Sequence, residues 1–126
     1  MAYSTGIVTN TRAFGTAATN IVVSTRNLDA EETLMVTLHI FASVDSNIWY
    51  TAYYSMFEVE ANSHDVREFF IAGNVAYEVQ VDAVTNAPQN VLFTVTGLDE
   101  FGNLVENERY AQSELSFITQ LSPVMI

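Results

Sequence analysis

At 126 residues the chain is one domain of ordinary size, long enough for a core of its own, and a hydrophobic fraction of 49% excludes a disordered chain. Fifteen acidic residues face four arginines and no lysine; the net charge of -11 excludes a phosphate-backbone partner, because nucleic-acid binding needs cations to displace counterions, and it disfavours an anionic membrane surface. The absence of cysteine removes disulfides, thiolate catalysis and cysteine metal sites.

The start, Met1 to Gly6, lacks the basic region and apolar run of a signal peptide, which predicts synthesis in the cytoplasm without signal-directed export. No apolar run approaches the length of a membrane-spanning helix, so no membrane insertion is expected. From Tyr3 to Arg12, Tyr3, Thr5, Ile7 and Thr9 alternate with Ser4, Gly6, Val8 and Asn10 in a strand-like, almost uncharged arm. Ala13 to Thr16 breaks the pattern, with Gly15 as the hinge. The chain thus divides into a connector arm, residues 1–15, and a domain, residues 16–126.

Ala18 to Arg26 reads as the next strand, with Ile21 and Val23 on one side, and Asn27 to Glu32 as an acidic turn. Thr33 to Ser43 alternates most cleanly: Leu34, Val36, Leu38 and Ile40 on one face, Met35, Thr37, His39 and Phe41 on the other. Glu31 and Glu32 could open a helix here, but the period of two and the Thr, Val and Ile content favour a strand. Ile48 to Glu60 is long and aromatic, with a phase slip near Ser55 to Phe57 that predicts a bulge there. Val66 to Ala72 is a short strand ending at Gly73 and Asn74. Val75, Tyr77, Val79 and Val81 share one face of the following strand, and Val91, Phe93 and Val95 one face of the strand after it, with a turn cluster at Asn86 to Asn90 between them. Asp99 to Asn103 is a hairpin connection, and Leu104 to Glu108 returns from it. Arg109 to Gln120 follows, with Leu115 and Phe117 on one side, and the apolar end from Leu121 is expected to dock. The pattern predicts an all-β fold: an antiparallel β-sandwich, jelly-roll-like, of about eight strands plus the N-terminal extended arm.

No residue constellation names a reaction. His39 on a sheet face beside Thr37 and Phe41 reads as structural, and His64-Asp65 has no Gly-x-Ser-x-Gly elbow to serve. Glu58, Glu60 and His64, or Asp99, Glu100, Asn103 and Glu106, carry oxygen ligands that calcium accepts, but no spacing matches a calcium loop. No catalytic residue, cofactor or metal is expected, and the chain is not read as an enzyme. Trp49 and Tyr53, in the run Trp49 to Tyr54, are candidate exposed aromatic contacts, for a sugar-stacking platform or a protein interface, against burial on both faces.

The arm Ala2 to Asn10, the strands that follow it and the ending Ser113 to Ile118 resemble the subunits of endospore appendages, the pilus-like fibres on spores of Bacillus and relatives. The resemblance implies a jelly-roll subunit that completes a neighbour's sheet with its N-terminal connector. It also implies a head-to-tail homopolymer at the spore surface, outside the cell, with a surface anchor and a tip protein as further partners. The disulfide-linked class of these appendages carries connector cysteines; a chain without cysteine is closer to the thin, non-cross-linked type. Tyr3, Thr5, Ile7, Val8 and Thr9 are then the self-assembly residues, with Tyr3, Ile7 and Val8 as anchors; the competing reading is that the arm is the first strand of its own sheet, as most terminal strands pair within their domain. The alternative is a small β-sandwich module that binds carbohydrate through exposed aromatics.

Overall fold

The computed structural model describes residues 1–10, 17–85 and 87–125, so the expected hinge at Gly15 lies outside the described residues. Among these residues ten strands follow one another: β1 (Ala2–Ser4), β2 (Val8–Thr9), β3 (Asn20–Asn27), β4 (Leu34–Ser43), β5 (Tyr50–Val59), β6 (His64–Phe70), β7 (Ala76–Val84), β8 (Val91–Leu98), β9 (Leu104–Tyr110) and β10 (Ser116–Ile118). They form two antiparallel sheets, one in the order β10-β1-β7-β4-β5 with β2 also on β7, the other in the order β6-β3-β8-β9. The fold is an all-β sandwich.

One parity of side chains on each sheet turns inward, as the alternation requires. Leu34, Val36, Leu38 and Ile40 from β4, Tyr77, Val79 and Val81 from β7, and Val91, Phe93 and Val95 from β8 are all buried in one core cluster with Ile21 and Val23 of β3. Each such aliphatic side chain withdrawn from water stabilises the fold by roughly 1.5–3 kcal/mol. Val75, expected with them, precedes β7 and is only half-buried. Glu31 and Glu32 start no helix: Asp29 accepts both their backbone N–H groups in a turn, and β4 begins after it.

Four details differ from the sequence reading. The bulge of β5 lies at Ala52, not at Ser55 to Phe57, because Ile40 faces Tyr53 while Phe41 faces Thr51. The strand β6 starts at His64, two residues before the expected start at Val66, so His64 and Asp65 belong to the ladder with β3. Leu115 is buried, whereas Phe117 is 67% exposed on β10. The outer face of the first sheet is covered as well as the inner one: His39, Phe41, Ala76 and Gln80 are buried although they oppose the core parity.

Glycine matters at Gly97, where β9 crosses β8 closely. A Cβ there would stand 3.0 Å from the Cβ atoms of both Ala18 and Glu108, at the place where the β8–β9 register shifts. Glu108, beside that glycine, is buried.

Candidate functional site

The arm lies along β7. Ala2, Tyr3 and Ser4 face Asp82, Val81 and Gln80, and Val8 and Thr9 face Tyr77 and Ala76. The ladder is extended by hydrogen bonds from Ala83 N–H to Met1 O (3.0 Å), Thr5 N–H to Val79 O (3.0 Å) and Asn10 N–H to Val75 O (2.7 Å). On its other edge β1 is paired by β10, Ala2 to Ser4 against Ile118 to Ser116. The arm is therefore an interior strand at its start, between two strands from much later in the chain.

The expected unbroken alternation from Tyr3 to Thr9 is interrupted at Gly6, whose φ of +70° is a left-handed conformation that a glycine adopts without the Cβ penalty. Two short strands result in place of one. The break also changes which side chains anchor. Val8 joins the core cluster, while Ile7 turns to the outer face and is 66% exposed. Tyr3 is half-buried at the rim of the core, its ring 6.3 Å from that of Phe93 and edge-on to Phe117 at 6.0 Å. Thr5 anchors through its hydroxyl, which accepts from Val79 N–H at 3.1 Å and donates to Gly6 O at 2.7 Å. Thr9 is exposed.

Asn10, a residue the sequence reading passed over, closes the arm. Its amide nitrogen donates to Ala18 O (2.9 Å) and Asn74 O (3.1 Å), and its amide oxygen accepts from Ala18 N–H (2.8 Å). The side chain is buried and fully engaged with backbone. An asparagine, one side chain offering donor and acceptor together, is the chemical type that can do this, but nothing local in the sequence distinguishes Asn10 from its neighbour asparagines in turns.

Beneath Val8, Tyr77 donates its hydroxyl to Glu108 Oε1 at 2.8 Å inside the protein. Burial pushes the Glu108 carboxyl up from its ordinary value, against hydrogen bonds from Tyr77 and from the Ala18 backbone that favour the ionised form. Burial, followed by the charge of Glu108, pushes the Tyr77 hydroxyl up as well.

Across the outer face of the first sheet runs the C-terminal segment, docked as expected. Ser122 N–H donates to Gln80 Oε1 (2.8 Å), and Gln80 Nε2 donates to Ser122 Oγ (3.0 Å). Met125 N–H donates to Thr51 Oγ1 (2.8 Å), and Thr51 N–H donates to Met125 O (3.2 Å). His39 lies in this layer, its Nε2 2.8 Å from Thr51 Oγ1 and its ring 3.9 Å from that of Phe41. Burial pushes its imidazole down, opposed by the Ser122 backbone and by the charge of Glu78.

The two aromatics singled out as exposed contacts are not brought together. Trp49 is half-buried on the outer face, where with Ile7, Phe41, Glu78, Ser122 and Met125 it lines a cleft of about 190 Å³. Tyr53 packs inward at the rim, its ring 4.9 Å from that of Phe69 and its hydroxyl donating to Phe70 O at 2.7 Å. Among the described residues, no group of three or more histidine, aspartate or glutamate side chains is arranged to hold a metal, and no helix is long and apolar enough to cross a membrane. Comparison with protein-family models, curated proteins and solved structures finds no match to this chain.

Proposed function

We propose that this chain is a structural subunit that self-assembles into an extracellular fibre by donating its N-terminal strand to the sheet of a neighbouring subunit. The observation that carries the reading is the position of the arm. It fills a slot in a sheet between β7 and β10, and residues 11–19 connect it along the chain to β3. Every bond that Met1 to Asn10 makes in that slot can be made by the same ten residues of another copy, so exchange costs no contact. An emptied slot leaves the edge of β7 unpaired, and unpaired N–H and C=O groups are a template for an incoming strand.

A subunit that donates one arm and receives another makes a head-to-tail contact, which need not close and grows into a filament. The arm from Ala2 to Asn10 carries no charged side chain, so its insertion adds little to the repulsion between subunits of net charge -11. In this reading, which for location and partners rests on the resemblance to endospore appendage subunits alone, the fibre is a homopolymer at the spore surface, attached through an anchor and ending in a tip protein. The subunit acts in this reading without catalysis, cofactor or metal.

Thr9 on β2 and Ala76 on β7 face one another in register, and the chain contains no cysteine of its own. A Thr9→Cys/Ala76→Cys variant, assembled and then oxidised, therefore reports whose arm fills each slot. A ladder of covalent multimers on a non-reducing gel is expected, with filaments visible by negative-stain microscopy. Quantitative cross-linking within single chains would overturn the reading.

A further inference from the structure

The strand β10 has an unusual set of attachments. Among the described residues its one partner in the sheet is β1, through Ala2 to Ser4. Before it, Leu115 is buried in the core cluster. After it, the chain turns over the outer face and is pinned at two places, by the reciprocal pair of Ser122 with Gln80 and by the reciprocal pair of Met125 with Thr51. Thus β10 is tethered at both ends and lies along the outer edge of the arm. The arm is enclosed in the plane of the sheet between β7 on one side and this tethered strand on the other.

The pins touch the outer face of β7 and β5, not the arm. Gln80 does lie opposite Ser4, but its amide is turned to Ser122 and Glu78, and Ser4 bonds Glu78 instead. The pins hold down a buried layer of mixed character, with His39 and Phe41 beneath the tail. Freeing them exposes that layer to water and leaves β10 held by Leu115 and by the three residues of β1.

We propose that the C-terminal segment, β10 with its pins on Gln80 and Thr51, is a clasp that retains the arm in its slot and sets the rate at which the arm leaves or enters. For assembly this rests on the donor-strand reading above; as a property of one chain it does not. Opening the clasp removes the strand that covers the N–H and C=O groups on the outer edge of β1, so β1 becomes an edge strand of three residues, too short to hold on its own.

The test uses the full chain and hydrogen exchange read segment by segment. In a Thr51→Val/Gln80→Ala variant the tail amides of Ser122 and Met125 lose protection. The arm amide of Thr5, next to β1, is expected to exchange at least about tenfold faster, since lost hydrogen bonds of this kind each change an opening equilibrium by roughly that factor. Amides of Leu38 and Ile40 in β4 keep their rates. A second variant ending at Leu115 removes β10 and both pins together and is expected to free the arm at least as far. Arm protection that stays unchanged while the tail is released overturns the clasp, and so does a tail that remains protected in the double variant. Absence of filaments from the unmodified protein, with the exchange contrast intact, sinks the assembly reading and leaves the clasp standing.

Discussion

The strand β7 has two partners, and they could hardly differ more. On one edge β4 pairs with it without interruption from Met35 to Ser43, and every second residue of β4 from Leu34 to Ile40 enters the core. On the other edge the arm pairs in two short blocks separated by Gly6, with Val8 as its one member of the core cluster. The backbone template is the same, so the difference lies in side chains. A long ladder with an apolar face is a permanent part of the domain. A broken ladder with one member in the core cluster, a buried asparagine at its foot and a strand along its outer edge is held by fewer contacts, and in the donor-strand reading proposed above this is what lets it be replaced. Local opening free energies vary across a fold in this way, from near zero up to the global value.

Truncating one anchor on each side of β7 gives the largest effects and tests that contrast most directly. Leu38→Ala leaves a cavity in the shared core and is expected to cost about 2–5 kcal/mol of global stability, read as a lower denaturation midpoint. Val8→Ala removes about 1.5 kcal/mol of burial at roughly 0.8 kcal/mol per methylene. Its signature is fast hydrogen exchange confined to the arm, with β4 amides protected as before. Equal loss of protection in β4 would mean that the arm and the domain unfold as one unit.

A smaller effect follows from the carboxyl beneath the arm. Glu108 binds its proton more tightly in the folded protein than the ordinary value near 4.3 in an unfolded chain. Its contribution to stability is therefore fully present below that unfolded value and is lost as pH rises through the folded one. Because Glu108 contacts Tyr77 opposite Val8 and the Ala18 backbone beside Asn10, the loss is expected at the arm's foot before it reaches β4. Glu108→Gln, which keeps an acceptor for Tyr77, should raise the melting temperature at pH 7 and leave it unchanged near pH 4. A variant whose advantage is the same at both values would assign the effect to something other than the buried charge.

The smallest effect is that of salt. Raising ionic strength from 0.1 M to 1 M shortens the Debye length from about 10 Å to about 3 Å. Repulsion between subunits of net charge -11 then falls, while the backbone ladder of the arm is untouched and the Met1 ammonium, 3.0 Å from Asp82 Oδ1, loses only a partly exposed pair of small worth. Filament growth measured by light scattering should quicken with salt, at a nearly constant denaturation midpoint. Growth that slows would point to ion pairs in the contact.

The sandwich could be read from the sequence because its signal is local: side chains alternate every two residues, so Leu34 to Ile40, Tyr77 to Val81 and Val91 to Val95 announce their inner face within single strands. What the sequence hid is mostly non-local. The cover over the outer face depends on Gln80 meeting Ser122 and on Thr51 meeting Met125, pairs that no window of sequence contains. One hint was present: both parities of β4 are largely apolar, and His39 and Phe41 on the second face call for a cover. The arm was legible as a strand and as an uncharged one, but its anchors were not. Alternation carried through Gly6 puts Ile7 and Thr9 on the face with Tyr3, whereas the left-handed turn at that glycine lets Val8 face the core. The bulge was foreseen in the right strand and misplaced, since the extra residue is fixed by the register with β4 and not by the composition of β5.

The attachment of Asn10 bears on how a fibre of such subunits would carry load. The arm lies antiparallel along β7 with Asn10 at the end where the chain leaves the slot. Tension between neighbours pulling along the strand axis would then strain the ladder in shear, loading its bonds side by side, where peeling would break them one at a time. The three side-chain bonds of Asn10 sit at the loaded end, so they and the Val8–Thr9 block bear the first strain. Gly6 separates that block from Ala2–Ser4, and slack at the glycine would let the first block yield before the second is stressed. A filament linked this way would stretch in steps before it parts.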